Sequence, residues 1–301
     1  MQLDVNSLGR LLHDWGEPIR SEPVSGGCIS QAYRVSVRSS EGKLRDVFVK
    51  RNAASFFENF ACEHQGLKLL SGVEAIRVPQ PLKVEQTKQH AWLVTEWIAA
   101  PTRTRSQTST SFYELFGSQL AALHRRSRCH TIGLEHDNYL GAARQLNTPT
   151  ADWIDFFGQQ RLDYQLRWAR QQGLVAPPLQ RVIERIIANL PELLSGREPI
   201  NALLHGDLWS GNYLADEQNQ PVLIDPAVHY GCREAEFGML QLFGNCPAAF
   251  YAAYQDAYPL PAGWQRRAEV YQLYHLLNHL NLFGRGYLAA CLDLAGKLLR
   301  A

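Results

Sequence analysis

The sequence lacks any segment that predicts a membrane span or an export signal. No apolar run approaches the roughly 18 residues that a membrane-spanning helix needs. The first residues, Met1 to Asp4, do not place a basic segment before a hydrophobic one, as a secretory signal does. We therefore expect a cytoplasmic protein without a membrane partner.

A strong net charge and metal-type cysteine spacing are also missing. Lys and Arg total 30 against 29 Asp and Glu, so the chain has no overall field that would attract nucleic acid or an anionic surface. The six cysteines form no C-x-x-C pair, which favours reduced thiols over a disulfide framework or a zinc site. A chain of 301 residues is long enough for about two domains. Its function must therefore depend on a local site.

The motif richest in chemistry is HGDLWSGN at 205–212, followed by an Asp after the next apolar segment. Phosphotransferases use an Asp that accepts the proton of the attacking hydroxyl, an Asn five residues later, and a second Asp beyond a short strand that holds the metal. Asp207, Asn212 and Asp225 keep that order. Two short apolar strands around a polar turn would bring Asn212 back beside Asp225. The alternative, a surface turn with a hydrogen-bonded Asp and Asn, does not account for the extended spacing.

A glycine-rich segment near the N-terminus is a candidate phosphate loop. Gly26 and Gly27 would let backbone N–H groups approach phosphate oxygens, although most Gly-Gly pairs are only turns. Cys28 beside them has two interpretations. Its thiol could have a lowered pKa and act as a redox brake, or it could be a small reduced residue that fits the turn.

A lysine at the end of an alternating strand supplies the next part of a nucleotide site. Lys50 closes the segment VFVK, and a phosphate-clamping lysine needs a carboxylate partner on the following helix. We favour Glu63 over Glu58, because Glu58 lies in the first turn of the predicted helix, where a carboxylate is already explained by its favourable interaction with the helix dipole. The apolar strand that follows runs into four residues at the position of a nucleotide hinge, which are Thr95, Glu96, Trp97 and Ile98.

The polar tract at 101–111 separates two different patterns. The pattern before it predicts helices at 5–15 and 55–70 and strands at 32–37, 46–50, 82–85 and 91–96. The pattern after it predicts helices at 112–123, 153–169, 179–190 and 270–282, interrupted by the hairpin. A small sheet joined to a helical part would leave a cleft for a nucleotide between them.

With these parts in order, the chain resembles the fructosamine kinase (ketosamine 3-kinase) family, whose fold is similar to that of aminoglycoside phosphotransferases and choline kinases. The similar segments are HGDLWSGN at 205–212, IDPAV at 224–228, GGCIS at 26–30, FVK at 48–50, the aromatic segment from Trp153 to Gln165, and DNYLG at 137–141 with Gln145 and Asn147. Together they span most of the sequence.

The resemblance implies an α+β, bilobal, protein-kinase-like fold. It implies an N-terminal nucleotide-binding lobe of a small antiparallel sheet with one key helix at 1–98, and a larger, mainly helical catalytic and substrate-binding lobe at 99–301. The implied activity is ATP-dependent phosphorylation of the 3-hydroxyl of ketosamines, either small molecules or glycated proteins, which leads to deglycation. The protein would be a monomer or a homodimer.

The resemblance also implies roles for single residues. Asp207 would be the base, Asn212 and Asp225 would bind Mg²⁺, and Lys50 with Glu63 would clamp the phosphates of ATP. Residues 26, 27 and 95–98 would contact the nucleotide. The implied substrate-side residues are Asn138, Gln145, Trp209 and His229.

The chain departs from the family pattern just beyond the second Asp. His229 stands where Tyr is frequent, Cys232 where His or Asp is frequent, and Glu236 where Asp is usual. These departures put acceptor preference in doubt rather than phosphoryl transfer. Two alternatives stay open: a kinase of the aminoglycoside or choline type, and a nucleotide-binding pseudokinase.

Overall fold

Five strands of the first hundred residues form one antiparallel sheet, and most of the remaining chain is helical. The computed structural model describes residues 5–25, 29–100, 109–175 and 177–300. The strands are β1 Glu17–Val24, β2 Gln31–Arg38, β3 Leu44–Ala53, β4 Pro81–Gln86, β5 His90–Glu96, β6 Asn138–Leu140, β7 Ala143–Gln145, β8 Ala202–Leu204, β9 Tyr213–Ala215, β10 Pro221–Leu223 and β11 His229–Gly231. The α-helices are α1 Val5–Leu12, α2 Phe57–Gly72, α3 Thr110–Arg126, α4 Trp153–Phe156, α5 Tyr164–Gln171, α6 Pro177–Leu193, α7 Glu236–Leu242, α8 Ala248–Ala257, α9 Trp264–Phe283 and α10 Leu288–Leu298.

The sheet has the order β1-β2-β3-β5-β4, with antiparallel neighbours throughout. Alternation decides which face is covered: Tyr33, Val35 and Val37 of β2 are buried in one cluster with α1. β3 lies in the centre, and its register places Lys50 opposite Leu93 of β5. A lysine on a central strand is thereby held on a rigid support.

Helix α2 connects the sheet to the helical part. Phe60, near its start, packs with two residues of β5. Leu67 and Leu70, about two and three turns later, belong to a cluster with Phe112 and Phe116 of α3. The two ends of this one helix are therefore buried in different clusters.

The helical part begins where the polar tract ends. The hydroxyl of Ser109 accepts the N–H of Phe112 at 3.2 Å and caps α3. Residues 101–108 of the tract lie outside the described residues, so the lobe boundary between residues 98 and 99 stays a prediction. Helix α9 lies at the centre of the second core, where Leu273, Leu277 and Leu280 are fully buried.

The predicted helices and strands are present with shifted ends, whereas several short strands and the helices α7, α8 and α10 were not predicted. The sequence predicted one helix over 153–169, whereas the structure has α4, a π-helical stretch at Phe157–Asp163, and α5. β1 was not predicted because its two prolines argue against a strand, and it lies at the sheet edge, where proline is tolerated. No helix in the described ranges is both long and apolar enough to cross a membrane.

Candidate active site

A buried carboxylate hydrogen-bonds the backbone of the catalytic-type loop at 205–212. Glu236, at the start of α7, accepts the backbone N–H of His205 at 2.6 Å and that of Gly206 at 3.1 Å. Gly206 has φ +82°, and a Cβ there would lie 2.1 Å from the carbonyl oxygen of Ala227. The imidazole of His205 donates through Nε2 to the carbonyl of Ile224 at 2.8 Å. The loop is therefore tied to the segment that carries Asp225.

Asp207 and Asn212 meet across this loop. The Nδ2 group of Asn212 donates to the carbonyl oxygen of Asp207 at 2.8 Å and to its carboxylate at 3.1 Å. The bond to a carbonyl fixes the orientation of the amide, so Oδ1 of Asn212 is left to accept. Burial, together with the charge of Asp225, holds the pKa of the Asp207 carboxyl well above its ordinary value.

The hairpin that the sequence predicted is formed by β9 and β10. It returns the chain so that Ile224 donates its N–H to the carbonyl of Asn212 at 3.0 Å. Asp225 follows with φ +57°, a left-handed conformation that is uncommon outside glycine but enriched for Asp. This turn directs the Asp225 carboxylate toward the sheet.

Lys50 lies between two carboxylates from different parts of the chain. Its Nζ is 2.7 Å from Oε1 of Glu63 and 2.7 Å from Oδ1 of Asp225. Burial alone would lower the pKa of the lysine, but the two negative charges raise it, so the ammonium keeps its charge. The structure thus places Glu63 against Lys50, and it forms no such pair with Glu58 among the described residues.

One cavity of about 710 Å³ collects most of the candidate residues. Its walls include Lys50, Glu63, Thr95, Glu96, Trp97, Ile98, Asn138, Asp207, Trp209, Asn212 and Asp225. The hinge residues differ in how many of their polar groups are already hydrogen-bonded within the protein. The Glu96 side chain accepts from Arg77 at 2.6 Å, whereas the backbone of Ile98 forms no backbone hydrogen bond within the described part of the chain. A hinge contact to an adenine edge would therefore use the backbone beyond Glu96.

Two of the implied substrate residues do not reach this cavity. His229 is buried behind Gly206 and its ring stacks parallel to Trp153, with centroids 6.3 Å apart. Gln145 donates to Ala227 and to Asn138, and its Oε1 accepts from Tyr274. Contact of either residue with a substrate stays a prediction, and the geometry favours a supporting position.

Asn138 lines the cavity, but its amide is already used. Its Nδ2 donates to the carbonyl of Val228 at 2.7 Å, and its Oδ1 accepts from Gln145 and Asn147 at 2.8 Å each. The β6–β7 hairpin and the segment after Asp225 are fastened together by these bonds. Asn138 thus shapes the wall more than it offers a free group.

The three residues that depart from the family pattern are buried beneath the catalytic-type loop at 205–212. Cys232 and Glu236, like His229, are almost fully buried and do not line the cavity among the described residues. Glu236 bonds the backbone of the catalytic-type loop, so the substitution at that position concerns loop placement rather than acceptor contact. Gly26, Gly27 and Cys28 lie outside the described residues.

Sequence reasoning missed the part of the wall that α7, α9 and the following turn supply. Phe243 follows α7, Asn278 and His279 belong to α9, and Phe283 and Tyr287 follow along the chain. No motif marks these residues. The available signal was Asn278, a polar residue between the apolar positions Leu277 and Leu280 of the helical pattern.

Comparison with known proteins gives a consistent result. The family model described as fructosamine kinase matches residues 10–301. A probable ketoamine kinase of Synechocystis sp. is 40% identical over 90% of this chain and 88% of its own length. The chloroplastic protein-ribulosamine 3-kinase of Arabidopsis thaliana is 36% identical over 92% of this chain and 82% of its own.

A solved structure agrees with these relatives. The crystal structure of a protein from Thermobifida fusca, assigned as a fructosamine-3-kinase, superposes with a TM-score of 0.83 at 32% identity and covers 99% of this chain and 100% of its own. The α+β bilobal fold that the resemblance implied is thereby confirmed. Because the family model covers nearly the whole sequence and the site residues of the motif share one cavity, the chain belongs to the fructosamine kinase family.

Proposed function

We propose that this protein is an ATP-dependent kinase that phosphorylates the 3-hydroxyl of ketosamines, which are sugar adducts of free amines or of protein lysines. The observation that carries the proposal is the convergence of Lys50, Asp207 and Asp225 on one cavity, since each supplies a separate need of phosphoryl transfer. The names of the two relatives, ketoamine kinase and ribulosamine 3-kinase, support the same acceptor class.

The proposed chemistry is a direct in-line transfer. Lys50, fixed by Glu63, neutralises phosphate charge at the end of β3. Asp207 orients the acceptor hydroxyl and takes its proton, and Asn212 holds the Asp207 carboxylate in place. Positioning and charge neutralisation supply most of the rate, and no covalent intermediate on the enzyme is needed.

The residues present fit a magnesium ion. Mg²⁺ prefers oxygen ligands and is commonly held by one or two protein groups together with substrate phosphates. Oδ1 of Asn212 and the second carboxylate oxygen of Asp225 are such groups, because Asn212 donates only through Nδ2 and Lys50 occupies only Oδ1 of Asp225. Bound there, Mg²⁺ would neutralise the charge on the ATP phosphates.

The aminoglycoside alternative is less well supported by the cavity wall. Polycationic acceptors need acidic partners. The acidic residues of the described wall are Glu63, Glu96, Asp207 and Asp225. Glu63 pairs with Lys50 and Glu96 with Arg77, and Asp207 and Asp225 are the proposed base and metal ligand. Apart from Lys50 and these four acidic residues, the side chains of the described wall are uncharged. A pseudokinase is also disfavoured, because the full set from Lys50 to Asp225 is present.

The lobe assignment, cellular location and oligomeric state extend the proposal. We propose residues 1–98 as the nucleotide-binding lobe and 99–301 as the catalytic lobe. A cytoplasmic location and a monomer or homodimer stay predictions from the sequence.

The test is ATP consumption with Mg²⁺ against ribulosamine, erythrulosamine and fructosamine adducts of lysine, with an aminoglycoside and choline as controls. We expect turnover on at least one ketosamine. Asp207→Asn should lower kcat by about 10²–10⁴-fold, as expected for loss of a general base, while calorimetry shows ATP binding retained. Turnover confined to a control acceptor would overturn the acceptor class, and wild-type kcat in Asp207→Asn would remove that residue from its role.

A further inference from the structure

Three buried amide side chains form a chain of hydrogen bonds that leads from α5 and α9 to the cavity. Gln165, Asn278 and Asn281 are exposed by only 1%, 2% and 5%. Gln165 lies on α5, and the other two lie one turn apart on α9. Buried amides are costly unless hydrogen-bonded, so the direction of each bond decides what the last member offers.

The direction of these hydrogen bonds is fixed at Asn281, the member farthest from the cavity. Nδ2 of Asn281 donates to the backbone carbonyl of Gln165 at 3.0 Å, and a carbonyl only accepts, so that atom is the nitrogen. The same Nδ2 lies 2.6 Å from the Gln165 side chain, which must therefore present Oε1 there. Nε2 of Gln165 is left to donate to Asn278 at 3.1 Å, and the Asn278 atom that receives it is Oδ1.

The remaining group of Asn278 is therefore a donor at the cavity. Asn278 is part of the cavity wall, and its Nδ2 donates to no residue of the described chain. A donor inside a largely apolar wall gains most from a ligand oxygen. Since the amide cannot rotate without breaking the bond from Gln165, it offers N–H groups and not a carbonyl.

The position of Asn278 is on the side of the catalytic-type loop. Its neighbour His279 stacks on Phe243 with ring centroids 4.5 Å apart, and the carbonyl of Phe243 accepts the N–H of Ser210 at 3.2 Å. Ser210 is three residues beyond Asp207. Burial and the nearby charge of Asp207 raise the pKa of Tyr274, which lies one turn before Asn278 on the same face of α9. The amide therefore faces the side of the cavity that carries the proposed base, rather than the hinge.

We infer that Asn278 is a specificity-determining residue that donates a hydrogen bond to an oxygen of the ketosamine other than the attacking hydroxyl, and that Gln165 and Asn281 set its orientation. The inference rests on the proposed function and adds to it the group that recognises the sugar portion. An interaction made equally in the ground state and the transition state changes KM and leaves kcat unaltered.

The test compares Asn278→Asp and Asn278→Leu with the wild type in steady-state kinetics. Asn278→Asp keeps the shape and still accepts from Gln165, but it loses the donor. Both variants should raise KM for the ketosamine about 3- to 10-fold, as for one neutral hydrogen bond, with kcat and KM for ATP unchanged. Asn281→Leu, which frees the Gln165 amide to rotate, should raise the same KM by a smaller factor.

Gln272→Leu is the matched control, because Gln272 lies on the same helix outside the cavity wall. It should leave all kinetic constants unchanged. An unaltered ketosamine KM in folded Asn278→Asp, or an equal rise in KM for ATP, would overturn the inference alone. Absence of ketosamine turnover by the wild type would overturn the proposed function, and the inference with it.

Discussion

At the scale of single residues, the site depends on charges that compensate one another. Lys50 is 8% exposed and contacts two carboxylates, so removal of its ammonium leaves two negative charges without a counter-charge. The sequence predicted the Lys50–Glu63 pair from the position of the helix. The added contact with Asp225 follows only from the left-handed turn at that residue.

Lys50→Met should impair both ATP use and stability. We expect a rise in KM for ATP and a loss of roughly 2–4 kcal/mol in unfolding free energy, because two carboxylates lose their counter-charge. Urea denaturation and steady-state kinetics measure the two effects. In the double variant with Glu63→Gln, part of the stability should return while activity stays low, because one uncompensated charge is gone. Unchanged ATP kinetics in Lys50→Met would contradict the role of the lysine.

At the scale of elements, short segments position the chemistry and long ones support them. The catalytic-type loop lies between β8 and β9, each three residues long, and α7 supplies the carboxylate that holds its backbone. Periodicity cannot predict strands of three residues. β9 pairs with the adjacent β10, as the motif predicted, but the partner of β8 is β11, which is distant in the sequence. The loop is therefore recognisable by its motif but its support is not.

Glu236→Gln should lower kcat by misplacing the loop. An amide offers one acceptor where two backbone N–H groups need one each, so an N–H would face an N–H. The unsatisfied donor should cost about 1–3 kcal/mol of unfolding free energy. Kinetics and denaturation of the same preparation test both expectations.

Glu234→Gln gives the comparison for that variant. Glu234 is equally buried and bonds Arg267 at 2.6 Å, away from the loop. It should lose stability but keep kcat. Similar kcat losses in both variants would show that the effect of Glu236 is general destabilisation and not loop placement.

At the scale of the whole molecule, two buried histidines make stability depend on pH. Burial and the nearby charge of Arg161 hold the pKa of His229 well below its ordinary value, and burial lowers the pKa of His275 to about 3. Above about pH 6.5 both histidines are neutral whether the chain is folded or unfolded. Below it, the unfolded chain binds protons that the folded protein does not, so the folded state loses stability.

Unfolding free energy should therefore fall between about pH 6.5 and pH 5, by up to about 1.4 kcal/mol per pH unit for each histidine. Urea denaturation at several pH values measures the slope. His275→Gln should reduce the slope by the share of one histidine. The raised pKa values of Glu63 and Asp207 act in the opposite direction, so the comparison with His275→Gln isolates the histidine. An unchanged slope in His275→Gln would contradict the burial of that imidazole as a neutral group.

The sequence by itself determined the chemistry of this protein. The order of Lys50, Asp207, Asn212 and Asp225 was readable because these residues belong to local motifs, and Glu63 was favoured by its position on the following helix. The longer helices were readable because their apolar faces repeat. Local motifs carry this information without any knowledge of distant contacts.

Only the tertiary structure decided which of the other candidates reach the cavity. Asn138, Gln145 and His229 were all expected on the substrate side, yet their amides and imidazole are engaged by hydrogen bonds and stacking inside the protein. Asn278 carries no motif and became a candidate through bonds from a helix more than a hundred residues away. Whether a polar group is free or satisfied depends on neighbours that packing brings together, and no local pattern records them.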